Sequence, residues 1–191
     1  MHKSRVEAFS DGVIAIIITI MVLELRAPHG AELSALRPLV STLLCYVLSF
    51  VYVAIYWNNH HHLFQAVGRI DGRVLWANIH LLFWLSLIPF VTAWMGENDF
   101  AAMPVALYGV VFLCAAIAYY VLVRALLALH GTGSVLATAI GSDFKGRVSV
   151  LIYAVAILLA FVAPILACAL YVAVAAIWLV PDRRIEKSLA T

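Results

Sequence analysis

Three stretches hold the residues able to do chemistry: "RVEAFSDG" at 5–12, "YWNNHHHLF" at 56–64 and "ANIH" at 77–80. Three consecutive histidines, His60, His61 and His62, suggest a metal or a haem. Adjacent residues on a helix diverge by about 100°, however, so the three cannot converge on one ion. The chain has no HExxH pattern and no acid at ligand spacing from the triplet. His60–His62 with His80 could ligate a haem across helices, yet no reaction constellation accompanies them. The expectation is no enzyme, no cofactor and no resident metal.

Hydrogen bonding is the better use for these side chains. Asp11 stands at the mouth of an apolar run, where a carboxylate needs donors. Ser10 or Asp11 as a helix N-cap is one reading. The preceding "RVEAF" consists largely of helix formers, so the helix is expected to begin earlier and to hold Asp11 within it. Trp57, Asn58, His61, Asn78 and His80 then form a network that holds Ser10, Asp11 and Arg5 and fixes the first helix.

Beyond Asp11 runs "GVIAIIITIMVLEL", interrupted by one hydroxyl. Ile16, Thr19, Ile20 and Leu23 recur at spacings of three, one and three, which puts them on one helical stripe. Thr19 has two readings. It returns its hydrogen bond to the carbonyl of Ala15 or Ile16 in a helix contact, or it faces something polar.

These residues need elements to position them, and composition says which. The 191 residues are 65% hydrophobic and 12% charged, with mean hydropathy +1.05. So few charges cannot solubilise so much apolar surface, so the chain reads as an all-α membrane protein. Apolar runs give six spans at about 6–26, 37–64, 73–95, 103–130, 147–162 and 165–181, in a single domain over 1–191. The last two come from the continuous apolar region 148–180, about 50 Å long as one helix. Pro164 breaks it near its centre, and it reads as the chain's one clear break.

With six spans both termini share a side with Lys3, Arg5, Arg69, Arg73, Arg124, Lys145, Arg147, Arg183, Arg184 and Lys187. Arg26 and Arg37 face the other side with Glu24, Glu32, Glu97 and Asp99. The positive-inside rule puts both termini in the cytoplasm of a plasma-membrane protein. A small net charge of +2 argues against a nucleic-acid partner. Cys45, Cys114 and Cys168 lie in apolar runs and read as buried hydrophobes. "MHKSR" followed by an apolar run mimics a signal peptide, but Glu7 and Asp11 intervene and "ELRAPHG" has no cleavage pattern. The segment reads as a retained first span.

Taken together, "RVEAFSDGVIAIIITIMVLEL", "YWNNHHHLF" and "RVLWANIHLLFWLSLIPFVTAWMG" resemble the first three helices of the transmembrane protein 175 family, a family of potassium-permeable channels. The last three spans match by length and hydropathy. The family lacks the TVGYG filter of ordinary potassium channels, as does this chain. Single-repeat members imply a homotetramer in a lipid bilayer, with the first helix lining a central pore. The resemblance implies that Arg5, Phe9, Ser10 and Asp11 belong to a brace for that helix, with Trp57, His61 and Asn78 as its partners. It also implies that Ile16, Ile20 and Leu23 form a hydrophobic gate. Thr19 becomes a selectivity layer, with potassium ions passing Ile16 and Thr19 transiently. One hydroxyl layer offers fewer ligands than stacked carbonyls, so modest potassium-over-sodium selectivity is expected. Glu24, Glu32 and Asp11 either concentrate cations at the mouths or are solvated loop charge. The competing expectation is a secondary transporter or proton-coupled carrier. It would call for ionisable groups at mid-span, and none is found there. A purely structural membrane subunit stays open.

Overall fold

The computed structural model describes residues 2–131, 133–134, 136–137 and 144–179. All regular elements among them are helical: α1 (Lys3–Leu23), a 3-10 turn (Leu33–Leu39), α2 (Val40–Gln65), α3 (Gly72–Ser86), α4 (Ile88–Glu97), α5 (Ala102–His130), α6 (Phe144–Leu159) and α7 (Pro164–Leu179). With α3 and α4 running on as one interrupted rod, these make six rods. Four rods are long and apolar enough to cross a membrane: Lys3–Leu23, Leu33–Gln65, Gly72–Glu97 and Ala102–His130. Residues 180–181 of the sixth expected span, and Arg183, Arg184 and Lys187, lie outside the described residues.

The third rod corrects the expectation of a single break at Pro164. Pro89 has no N–H to give the carbonyl of Leu85, and α3 stops at Ser86 while α4 restarts at Ile88 with proline in its first turn. The Leu87 N–H bonds back to the Trp84 carbonyl at 3.2 Å, a tightened turn. Hydroxyls fill the interior beside the break. Thr92 Oγ1 donates to the Ile88 carbonyl (2.7 Å), so the Ser49 hydroxyl donates to Thr92 (2.7 Å) and Tyr108 donates to Ser49 (3.1 Å). Ser49, Thr92 and Tyr108 are all buried, and each donor is satisfied, as a dry interior requires. Gly96 lets α4 approach the α2 backbone, since a Cβ there would lie 2.6 Å from Thr42 Cα.

At Pro164 the chain reverses. The Ala163 N–H closes onto the Leu159 carbonyl at 2.8 Å, and α7 returns along α6 until Trp178 Nε1 donates to Ser149 Oγ at 2.8 Å. Tyr52, Phe112, Tyr153 and Tyr171 pack together between α2, α5, α6 and α7. Tyr52 donates to the Tyr171 carbonyl (2.6 Å), and Tyr171 donates to the Val105 carbonyl (3.1 Å). Gly109 makes room for that arrangement, because a methyl there would land on the Tyr171 hydroxyl and 2.8 Å from Ile157 Cγ1. Gly109→Ala is therefore expected to destabilise the bundle by about 1–3 kcal/mol through overpacking. A thermal melt in detergent checks it, and an unchanged midpoint would contradict this packing.

One end of the bundle gathers the N-terminus and the cations. Lys3 Nζ donates to the carbonyls of Phe64 (2.8 Å) and Val67 (3.2 Å) and lies 3.7 Å from Glu7. Arg69 donates to the Leu129 carbonyl at 3.3 Å. Cations on the last carbonyls of α2 and α5 complement the negative ends of those helices.

Candidate functional site: the outward face of the first helix

α1 has two unlike faces. Ser10, Ile14, Ile17 and Met21, at spacings of four, three and four, are buried against the bundle, where α1 packs on α2, α3 and α4. The other face carries Gly12, Ile16, Thr19, Ile20 and Leu23, all exposed. Ile16 is 59% exposed, Ile20 42% and Leu23 73%. The stripe expected from the spacing therefore faces away from its own chain. Within it Thr19 Oγ1 donates to the Ala15 carbonyl at 2.7 Å. That bond uses the hydroxyl proton and leaves the oxygen of this exposed residue able to accept, the half of a hydroxyl that a cation needs.

The helix begins at Lys3 with no side-chain cap, so Asp11 lies more than two turns inside it. The polar network behind α1 is built as follows. Ser10 Oγ donates to the Val6 carbonyl at 2.8 Å, so towards Asn78 it can only accept, and Asn78 Nδ2 donates to it at 2.9 Å. That fixes the amide and leaves Asn78 Oδ1 as acceptor, so the 2.8 Å contact with His60 has Nε2–H of His60 as donor. Ser10, Asn78 and His60 are each at most 2% exposed. The network ties α1, α2 and α3 at one point. A second tie lies at the surface, where Trp57 Nε1 donates to Asp11 Oδ1 at 3.0 Å.

The structure therefore brings Ser10, Asp11, Trp57 and Asn78 together. His60 is the histidine that reaches Asn78. His61 stacks on Trp57 with centroids 5.7 Å apart and bonds Gln65 at 2.8 Å. It joins the brace only through the indole. His80 accepts from Trp84 on its own helix at 3.0 Å. Arg5 and Phe9 are exposed, and among the described residues nothing polar engages Arg5 or Asn58. Sequence reasoning missed His60, which lies one turn past Tyr56 and one before Phe64 on the packed side of α2, a side that the apolar residues of that helix, present nearly all round, do not mark. No His, Cys, Asp and Glu side chains gather into a metal site among the described residues.

A bundle of apolar rods, one of them bearing an outward stripe with a single hydroxyl, defines a multi-pass helical membrane protein with an unfilled helix face. A family model described as the endosomal/lysosomal potassium channel TMEM175 matches residues 5–89, which hold α1 but for its first two residues, α2, α3 and every residue of the brace. The chain is 53% identical over 189 residues to a Chryseobacterium protein named as a potassium channel, covering 99% of this chain and 98% of that one. A Streptomyces collinus protein named likewise is 36% identical over 129 residues, 63% of each chain. The crystal structure of a TMEM175 homolog from Chamaesiphon minutus, described as a lysosomal potassium-selective channel, superposes with a TM-score of 0.81. It is 31% identical, covering 94% of this chain and 97% of that one. The chain belongs to the TMEM175 family.

Proposed function

We propose that this protein is a potassium-permeable channel, a homotetramer whose four α1 helices surround the pore. The observation that carries the proposal is the outward α1 stripe of Ile16, Thr19, Ile20 and Leu23. One such stripe per chain cannot enclose a path, so copies must share it. Relatives named as potassium channels support the ion. Ile16, Ile20 and Leu23 form the gate, because a narrow ring of aliphatic side chains sheds water and excludes bare ions until it dilates. Four Thr19 hydroxyls replace part of the hydration shell between those rings, and potassium gives up water more readily than sodium. Ser10, Asp11, Trp57 and Asn78, with Arg5, Phe9 and His61 beside them, brace the helix.

The charge asymmetry supports six crossings with both termini in the cytoplasm of the plasma membrane. A carrier is disfavoured, because the hydroxyls beside the break at Leu87, those of Ser49, Thr92 and Tyr108, are engaged with one another and with the Ile88 carbonyl. Thr19→Ala tests the reading. In liposomes with opposed potassium and sodium gradients, the permeability ratio should fall toward one while flux persists. An unchanged ratio would remove Thr19 from selectivity.

A further inference from the structure

α5 and α6 lie away from the proposed pore, since α1 packs on α2, α3 and α4. The two run antiparallel, and their mutual register is fixed by side-chain contacts. Phe112 and Tyr153 have ring centroids 6.4 Å apart, and a Cβ on Gly109 would meet Ile157. From the Phe112–Tyr153 level toward the cationic end, Arg124 is twelve residues along α5, a descent of about 18 Å at 1.5 Å per residue. Arg147 is six residues along α6 from the same level, a descent of about 9 Å. Tyr120 lies between, about 12 Å down. The three groups thus fall within about 9 Å of one another in height.

They also share a side. At 100° per residue, twelve residues forward on α5 and six residues back on α6 each turn about 120° from the line joining the helices. Because the helices run in opposite directions, the two turns bring Arg124 and Arg147 to one side of the seam, with Tyr120 beside them. All three are exposed, and no hydrogen bond or ion pair engages them among the described residues. Neither α5 nor α6 contains an aspartate or glutamate. On the same side, nearer the Phe112–Tyr153 level, the seam carries the small apolar residues Ala116 and Ala154, half-buried and exposed respectively.

Two guanidiniums with no ion pair among the described residues, and a phenol beside them at the head of an apolar helix pair, match one chemistry. Guanidinium binds a phosphate through paired N–H donors, a tyrosine hydroxyl suits the headgroup level, and the exposed apolar side chains of the two helices, Ile117, Val121, Leu151 and Val155 among them, suit an acyl chain. We propose that Arg124, Arg147 and Tyr120 form a binding site for the phosphate headgroup of an anionic phospholipid, on the outer flank of the α5–α6 pair. The site does not depend on the pore reading.

Native mass spectrometry of the delipidated protein tests it with phosphatidylglycerol and phosphatidylcholine as probes. Wild type should retain phosphatidylglycerol preferentially. The double variant R124Q/R147Q should lose that retention by about tenfold or more, the scale of two headgroup contacts at a membrane surface. R124K/R147K should keep an intermediate part, since lysine retains charge without the fork. Raised salt should weaken phosphatidylglycerol binding to wild type and leave phosphatidylcholine binding unchanged, an arm independent of variant folding. Equal retention of both lipids by wild type, or unchanged retention by the double variant, would overturn the site. Displacement of the lipid by millimolar inorganic phosphate or glycerol phosphate would also overturn it, by marking a soluble-anion site instead.

Discussion

Ile16→Asn should raise basal cation flux by about tenfold or more, with little change in folding. Ile16 points away from its own bundle, so an amide there costs no core packing. In the proposed tetramer it places four amides at the constriction, where they hold water that an aliphatic ring sheds. Only about 1.4 kcal/mol off the barrier is needed for a tenfold change in rate. Ile14 is the control. It lies two residues back on the packed face at 2% exposure, so Ile14→Asn buries an unpaired amide and should reduce yield of folded protein without opening a leak. Flux from potassium-loaded liposomes, normalised to folded protein, separates the two. Equal flux from Ile16→Asn and wild type would contradict the gate.

The second large effect is on the brace. Asn78→Ala removes the acceptor for His60 Nε2–H and the donor to Ser10 Oγ in one step, at a site sealed from water. The expected loss is about 1–3 kcal/mol, the cost of leaving a buried polar group unpaired. Ser10→Ala should cost less, about 0.5–1.5 kcal/mol, because it deletes one hydrogen bond and strands only half of the amide. The two changes meet at one bond, so a double-mutant cycle should show clear non-additivity. Thermal melts of the four proteins provide the cycle. Strict additivity would mean that Ser10 and Asn78 do not act together.

The first helix was the most legible part of the sequence. A spacing of three and four residues separates its packed from its outward side, and a helix needs nothing else to be read that way. The brace was legible by type and only partly by register. Asp11 and Trp57 meet because each ends an apolar run at the same end of the bundle. Choosing His60 over His61 required the rotation of α2, which its apolar residues, present nearly all round, do not reveal. Pro164 announced itself because the run around it was too long for one crossing. Pro89 broke a run of ordinary length, and hydropathy continues across it, so the split at Leu87 stayed hidden. The hydroxyls of Ser49, Thr92 and Tyr108 were hidden for a related reason: each stands alone in sequence and acquires partners only when α2, α4 and α5 pack.

The outward stripe of α1 as a cation pathway is tested most directly by electrical recording from purified protein in liposome-derived bilayers under a potassium gradient. The expected result is discrete unitary currents reversing near the potassium potential, with a shift toward zero in Thr19→Ala. Folded wild-type protein that carries no unitary cation current would contradict the pore.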